Sequence, residues 1–400
     1  MTGLRIAIFH NLHSGGAKRT LYEEARRLTE RHHLDLYTLS DADSDFCDLR
    51  PYMHENNIYD FEPEPVFRSP FGRLNQGMRL LDLARLRRLA RHIAADIDAA
   101  GYNVVFIHPS QYTQSPLLLQ FLHTPTVYYC HEPLRRLYEP RVPRPYRKRS
   151  LGLRVLDAAD PLLRAYRSAL RRADWASLRS ATRVLVNSRF TQGNVSRIYG
   201  METQVCSHGI DTTAFRPLGL PRDGFVLSVG ALTPNKGFDT IIAGLGRVPK
   251  EQRPSLMIIS NYAEAQERAY LEELAAIQSV ELTLRTDVGD EALVNAYNRA
   301  AIVAYAPVRE PLGLVPLEAM ACGTPVVGVR EGGVAETVRH GETGLLVERR
   351  PEDVASALER LLDSPALSRE LGQAGRRVVE TEWDWTRAIR SLEEHLAAVA

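Results

Sequence analysis

The sequence predicts an α/β protein with two doubly wound, parallel-sheet domains that face each other across a cleft. Short apolar runs rich in β-branched and aromatic residues alternate with helical patterns along the chain. The 400 residues are too many for one ordinary domain. The stretch 213–224 has no periodicity and holds two prolines and two glycines, which is typical of a linker.

Composition excludes several other classes of protein. Apolar residues make up 44% and charged residues 25% of the chain, as in average globular proteins, and no run of 18 apolar residues is present. The N-terminal apolar stretch of about seven residues predicts a first strand rather than a signal peptide. The cysteines lie far apart with no C-x-x-C pair, which argues against a disulfide framework or zinc site and indicates a reducing cytoplasm. They are Cys47, Cys130, Cys206 and Cys322.

In the first half, each apolar run ends in polar or Gly/Pro residues, so each is predicted to be a strand. The predicted strands are Leu4–Phe9, Leu34–Leu39, Val104–Ile107, Thr126–Tyr129 and Val184–Val186. The predicted helices are Ala17–Glu30, Met78–Ala100 and Asp157–Leu178. Strands separated by helices pair in parallel through right-handed crossovers.

The second half repeats the alternation. The predicted strands are Phe225–Val229, Leu256–Ile259, Leu282–Leu284, Ile302–Tyr305, Val326–Val329 and Leu345–Val347. The predicted helices include Tyr270–Ile277, Glu291–Arg299, Leu314–Ala321 and Pro351–Leu362. We therefore expect domains over 1–215 and 222–380, with ligands at the carboxyl ends of both sheets. The segment 381–400 is an amphipathic helix; its pattern fits packing on its own domain or crossing back to the first equally well.

Charge is distributed unevenly. Residues 1–220 carry 31 Lys and Arg against 22 Asp and Glu, whereas residues 221–400 carry 19 against 27. Within the basic half, an insert at about 135–179 has 13 basic residues and four acidic ones, and 68–92 has seven Arg and one Asp. These segments form a solvated basic face, or they bind an anionic acceptor or an anionic membrane surface. Nucleic acid is disfavoured because no recognition module is present.

The strongest motif runs from Glu310 to Glu318 and leads into AMACGTPVV. Gly313 precedes a predicted helix whose first amides, those of Gly313, Leu314 and Val315, are free to bind an anion. Glu318, one turn deeper, and Glu310, on the loop, offer carboxylates to sugar hydroxyls. The motif therefore predicts a nucleotide-diphosphate sugar as ligand.

Three weaker motifs follow other strands. Lys236, at a helix start after Gly230, is suited to a diphosphate as a point charge. Gly15 and Gly16 allow close backbone approach to a ligand. His131 ends a strand at the predicted cleft. Taken singly, an ordinary turn explains Gly15-Gly16 adequately and is the preferred interpretation of Lys236 and His131.

Taken together, these motifs and the SVGAL…NKG, VNSRF and GID…FRP segments resemble the retaining GT-B glycosyltransferases of family four. The resemblance implies two Rossmann-like domains, with the donor held mainly by the second and the acceptor by the first, and a C-terminal helix that crosses back. It also implies roles: Glu310 meets the donor sugar, Glu318 the ribose, Lys236 the diphosphate, and His131 the reacting sugar. The predicted donor-binding residues are Gly15, Gly16, Gly230, Ala231, Lys236, Val288, Arg309, Gly313, Leu314, Val315 and Glu318, and the predicted catalytic residues are His131, Glu310 and Lys236.

One departure from the family pattern concerns charge. The family pairs its Lys with an Arg five residues earlier, and Ala231 occupies that position here. We hypothesise that Arg309, or an Arg from the first half, supplies the second cation. We expect no metal and no cofactor.

The predicted function is retaining transfer of a UDP- or GDP-linked sugar to a hydroxyl of a glycan or lipid-linked glycan. The expected location is the cytoplasm, including a peripheral position at the inner membrane face. A non-catalytic sugar-nucleotide-binding protein is the alternative, because of Ala231. A phosphorylase-like enzyme is a third candidate, but no local signal for a cofactor lysine is present.

Overall fold

The computed structural model describes residues 3–67, 74–147, 159–286 and 288–400, together with residue 152. Part of the predicted helix Asp157–Leu178 lies outside the described residues, and so do several basic residues of the segments 68–92 and 135–179. These basic residues are Arg68, Arg73, Lys148, Arg149 and Arg154.

The first domain is a parallel sheet of seven strands in the order β3-β2-β1-β4-β5-β6-β7. Its strands are β1 Arg5–Asn11, β2 His33–Leu39, β3 Glu55–Tyr59, β4 Val104–Ser110, β5 Thr126–Cys130, β6 Arg183–Val186 and β7 Gln204–Val205. Its helices are α1 Gly16–Leu28, α2 Asn75–Ala100, α3 Arg135–Tyr138, α4 Pro161–Ser180 and α5 Arg189–Tyr199. All five predicted strands are present. The sequence missed β3 and β7, because edge strands need no buried apolar run.

The second domain is a parallel sheet of six strands in the order β10-β9-β8-β11-β12-β13. Its strands are β8 Val226–Val229, β9 Leu256–Ser260, β10 Leu282–Thr286, β11 Ile302–Tyr305, β12 Val326–Val329 and β13 Leu345–Val347. Its helices are α6 Phe238–Leu245, α7 Ala265–Ile277, α8 Asp290–Arg299, α9 Leu314–Ala321, α10 Val334–Thr337, α11 Pro351–Leu362 and α12 Pro365–Glu382. The predicted α/β class with two doubly wound sheets is confirmed.

Helices cover both faces of each sheet, so successive residues of a central strand enter different cores. In β1, Ile6 and Ile8 join the core that contains α1, whereas Ala7 and Phe9 join the core that contains α2. This two-sided burial explains the unbroken apolar runs of the central strands.

The last helix, α13 Trp385–Ala397, packs on the first domain. Trp385, Ile389 and Leu392 are buried in the core shared with α1. A Cβ on Gly209 would lie 2.6 Å from Trp385 Cα, so only glycine allows this close approach. The helix therefore links the end of the second domain to the first. Among the helices described, none combines the length and hydropathy needed to cross a bilayer.

Candidate functional site

The strand order of each sheet reverses direction once, and the candidate site lies between these two points. In the first sheet the reversal is between β1 and β4, and in the second between β8 and β11. Loops that leave such strands in opposite directions open a crevice at the carboxyl edge of the sheet. The Gly15-Gly16 loop follows β1, Lys236 follows β8, and Glu310 follows β11. The topology thus gathers residues that are up to 295 positions apart.

The two edges of the crevice touch. A Cβ on Gly16 would lie 3.3 Å from Leu314 Cδ1 of the second domain. On the same side, Arg19 of α1 donates to Asp290 of α8 at 2.7 Å. The glycine loop therefore forms one wall of the site, against the start of α9.

Helix α9 begins with amides that have no acceptor within the protein. Gly313 caps the helix with φ 98°, a left-handed conformation that favours glycine, and provides no side-chain cap. Among the described residues, no group accepts from the amides of Gly313, Leu314 and Val315. The helix dipole adds partial positive charge at this end. These three amides are suited to bind an anionic oxygen.

Lys236 and Glu310 form an ion pair beside these amides. Lys236 Nζ lies 3.0 Å from Glu310 Oε2 and 3.3 Å from Oε1, and both side chains are largely buried. Gly230 lets Lys236 lie flat across its backbone, since a Cβ there would be 3.3 Å from Lys236 Cδ. The ion pair thus places a cation and a carboxylate next to each other in the loops that the sequence predicts to bind a diphosphate and its sugar.

Glu310 is ionised in this setting. Burial raises the pKa of its carboxyl, but the charges of Lys236 and Arg135 and the hydrogen bonds from Lys236 and Tyr305 outweigh burial and leave the pKa below its usual value. An ionised carboxylate is an acceptor only, so Glu310 is suited to receive hydrogen bonds from hydroxyl groups.

Glu318 is almost buried and is oriented by Tyr297. Tyr297 Oη donates to Glu318 Oε2 at 2.6 Å. Burial raises the pKa of this carboxyl, opposed by the tyrosine hydrogen bond and by the charge of Arg19. One oxygen is thus held by the protein, which leaves Oε1 for a ligand. The sequence analysis missed Tyr297, which lies in α8 with no motif around it.

Two other predicted donor-binding residues, Val288 and Ala231, have apolar side chains and offer no polar side-chain group to a ligand. Val288 is half-buried and packs against the core beneath α9. Ala231 is half-buried at the end of β8 and leaves Lys236 as the cation on this loop.

Arg309 has partners in the first domain. Its Nε donates to Glu139 at 3.0 Å and its guanidinium also donates to the carbonyl of Pro140 at 3.0 Å. Arg135, in turn, donates to the carbonyls of Val308 and Arg309 at 3.1 and 2.8 Å. Of the two arginines, Arg135 is the one whose charge acts on Glu310.

These contacts belong to a segment, residues 132–147, that we call the clasp. It leaves the first sheet after β5 and contacts the loop before Glu310 and the turn before Lys236 in the second domain. Arg144 is its anchor: the side chain is 3% exposed and reaches Glu267, itself 0% exposed, at 2.9 Å and Asp239 at 3.0 Å. Arg144 also donates to the carbonyl of Pro234, two residues before Lys236. Part of the basic insert therefore joins the domains and does not face solvent.

His131 follows β5 at the floor of the crevice and is 7% exposed. Its Nε2 lies 3.2 Å from Nδ1 of His108, at the end of β4. Burial, followed by the neighbouring His108, holds the pKa of His131 well below its usual value, so the imidazole is neutral. The sequence analysis singled out His131 but none of the groups behind it.

Two family models match the chain. The family described as "Glycosyltransferase Family 4" matches residues 14–214, and the family described as "Glycosyl transferases group 1" matches residues 211–378. Together they cover both domains and meet at the predicted linker.

Curated relatives match over shorter stretches. D-inositol 3-phosphate glycosyltransferase of Rhodococcus opacus is 31% identical over 226 residues, which is 51% of this chain and 51% of the relative. The protein of the same name from Acidothermus cellulolyticus is 34% identical over 231 residues, 52% of this chain and 51% of the relative. The chain thus spans about half the length of the curated relatives it matches.

Solved structures resemble the whole chain. Sucrose-phosphate synthase from Thermosynechococcus elongatus superposes with a TM-score of 0.73 at 22% identity, covering 99% of this chain and 100% of that one. Anabaena HepE, solved in complex with UDP and glucose, gives 0.70 at 20% identity with the same coverage. The two-domain arrangement is therefore the GT-B fold.

Proposed function

Because the chain belongs to Glycosyltransferase Family 4, whose model matches residues 14–214, we propose that it moves a sugar from a nucleotide-diphosphate sugar to an acceptor hydroxyl with retention of configuration. The observation that carries this proposal is the Lys236–Glu310 pair beside the free amides of α9. A cation and amides suit a diphosphate, and a carboxylate 3.0 Å from that cation suits the attached sugar.

The chemistry follows from this placement. Donor binding draws Lys236 from Glu310 to the diphosphate, which leaves Glu310 as acceptor for sugar hydroxyls. As the bond from the sugar to the diphosphate breaks, Lys236 and the α9 amides stabilise the charge on the leaving group. The acceptor hydroxyl attacks the face that the diphosphate leaves, its proton passes to a leaving-group oxygen, and the configuration is retained. Preorganised amides and Lys236 supply the stabilising charge, so we propose that the reaction needs no metal.

The test begins with binding and ends with product. We expect UDP or GDP, and the matching sugar nucleotide, to raise the thermal midpoint, and a Lys236→Met variant to lose this shift. Retention is checked by proton NMR of the new anomeric centre, and metal independence by full activity in EDTA. Inverted product, or activity lost in EDTA and restored by a divalent ion, would overturn the corresponding part of the proposal.

A non-catalytic sugar-nucleotide-binding protein is the second candidate, favoured by Ala231, which supplies no cation where the family has arginine. Donor binding without hydrolysis or transfer to any acceptor would support it. UDP is the first nucleotide to test, since HepE of the same fold was solved with it. Inositol phosphate is the first soluble acceptor, since the curated relatives are named for it.

We also propose a peripheral contact of the first domain with anionic lipid, in line with a lipid-linked glycan acceptor. Helices α2 and α4 carry exposed arginines, and Arg179 of α4 lies over the ring of Trp175, which is 43% exposed. These arginines include Arg87, Arg88, Arg91, Arg164, Arg171 and Arg172. Each basic residue near an anionic surface contributes about 1 kcal/mol. We expect co-sedimentation with phosphatidylglycerol vesicles at low salt that Trp175→Ala weakens; absence of binding at low salt would overturn this proposal.

A further inference from the structure

Behind His131 lies a buried chain of polar groups that the proposed chemistry does not use. Glu24 of α1 faces His108, with Oε2 3.3 Å from Nε2, and the other nitrogen of His108 lies 3.2 Å from His131 Nε2. The side chains of Glu24 and His108 are 3% and 0% exposed. A carboxyl and two imidazoles thus run in series from the first helix to the floor of the crevice.

Glu24 Oε2 and His108 Nε2 have no aligned hydrogen-bond partner elsewhere in the described structure. They face each other at ion-pair distance, so a small rotation of either side chain closes a hydrogen bond between them. Burying a carboxyl or an imidazole nitrogen without a hydrogen-bond partner costs free energy. A hydrogen bond between Glu24 and His108 gives each of these two atoms a partner.

No lysine or arginine among the described residues lies within ion-pair distance of Glu24. The other titratable groups that face the series from packed elements are His10 of β1, Lys18 of α1, Tyr129 of β5, and Cys206 and His208 after β7. Burial raises the pKa of Glu24 well above its usual value and lowers that of His108 to about 3. A buried carboxyl with no cation within reach favours its neutral form, and so does a buried imidazole.

A single proton position then determines the others. A neutral Glu24 donates to Nε2 of His108, so the proton of His108 is on Nδ1 and is donated to Nε2 of His131. The proton of His131 is then on its own Nδ1. An ionised Glu24 would reverse every bond and leave Nδ1 of His131 without a proton.

We propose that Glu24, as a neutral acid, is a positioning residue that fixes the tautomers of His108 and His131, so that His131 offers an N–H group at Nδ1 and acts as a hydrogen-bond donor to the bound sugar nucleotide. This role rests on the proposed function, because it assumes that a donor substrate binds above His131. It also excludes His131 as the general base. The acceptor proton must then leave by another route, such as the diphosphate oxygen.

Two measurements test the tautomers and the activity separately. In protein with ¹⁵N-labelled histidine, long-range ¹H–¹⁵N spectra of the wild type should show protonated Nδ1 on both His108 and His131 near pH 7. Assignment uses His108→Gln and His131→Gln. A protonated Nε2 on His131 would overturn the proposal whether or not a transferase activity has been found.

The variants Glu24→Leu and Glu24→Gln test the consequence. Leucine removes the donor, and we expect kcat to fall about tenfold with KM for the donor little changed, as when one hydrogen bond in the transition state is lost. Glutamine donates through its amide and should restore both the wild-type tautomers and most of the rate. Glu23→Leu is the matched control: Glu23 is the preceding residue of α1 and pairs with Arg26 and Arg27, not with the histidines.

The outcomes separate the two proposals. If the wild type transfers no sugar, the proposed function fails, and the tautomers still decide the state of Glu24. Suppose that both variants are folded, as judged by thermal midpoint and UDP binding, and that Glu24→Gln is as impaired as Glu24→Leu. Hydrogen-bond donation by Glu24 then does not set the rate, and the proposal is wrong. A Glu24→Leu variant with wild-type kcat and tautomers would also refute it.

Discussion

Removal of Arg144 should release the clasp from the second domain. Its guanidinium makes hydrogen bonds of 2.9–3.1 Å to Glu267, Asp239 and the carbonyl of Pro234. In Arg144→Met, Glu267 would stay buried with the hydroxyl of Tyr146 as its remaining partner. Breaking a buried ion pair from one side costs about 3–5 kcal/mol.

The lost free energy weakens the docking of the clasp on the second domain, because Glu267, Asp239 and Pro234 all belong to that domain. We expect hydrogen exchange in residues 139–147 to rise by about two to four powers of ten, which is the same free energy expressed as an opening equilibrium. The core strands should keep their protection. Because Arg144 also holds the turn before Lys236, KM for the donor should rise together with this opening.

Two further variants make the prediction sharp. Arg147→Ala is the matched control, since Arg147 belongs to the same segment but pairs with Glu264 where both side chains are about one-third exposed. Such a pair contributes about 0–1 kcal/mol. The double variant Arg144→Met/Glu267→Gln leaves no unpaired buried charge at Glu267. It should therefore recover part of the protection from hydrogen exchange that Arg144→Met loses. If Arg144→Met perturbs exchange no more than Arg147→Ala, the clasp is not held by this ion pair.

Three other predictions concern single carboxyl groups. Glu310→Gln should lower kcat at least about a hundredfold while UDP binding is retained, measured by transfer assay and calorimetry; an unchanged kcat would remove Glu310 from the chemistry. Glu318→Gln should weaken UDP binding about tenfold but leave binding of the 2′,3′-dideoxy analogue unaltered, and equal weakening of both ligands would contradict a ribose contact. Since the folded-state pKa of Glu24 is raised above 4.5, its contribution to stability is fully present below that pH and is lost as the pH rises towards the folded-state pKa. Urea unfolding from pH 4.5 to 8 should therefore show the wild type losing stability relative to Glu24→Gln, and parallel curves would indicate an unshifted carboxyl.

Much of the candidate site was predictable because local sequence encodes local backbone. Apolar runs that end in polar residues located every central strand, and Gly313 before an apolar helix located the free amides. The edge strands β3 and β7 were missed because their residues are only partly buried. The roles assigned to His131, Lys236 and Val288 stay predictions until a ligand is bound.

The sequence alone determined the α/β class and predicted the linker and the donor-site motif, since each depends on periodicity and spacing within a few tens of residues. Only the tertiary structure decided which distant residues meet. It placed Tyr297 against Glu318, Arg144 against Glu267, and Glu24 behind His108 and His131. The physical reason is that the local sequence around a charge or hydroxyl does not specify which distant group it pairs with. The order of the strands brings distant groups together, and burial makes an unpaired polar group costly, so these two factors select the partner.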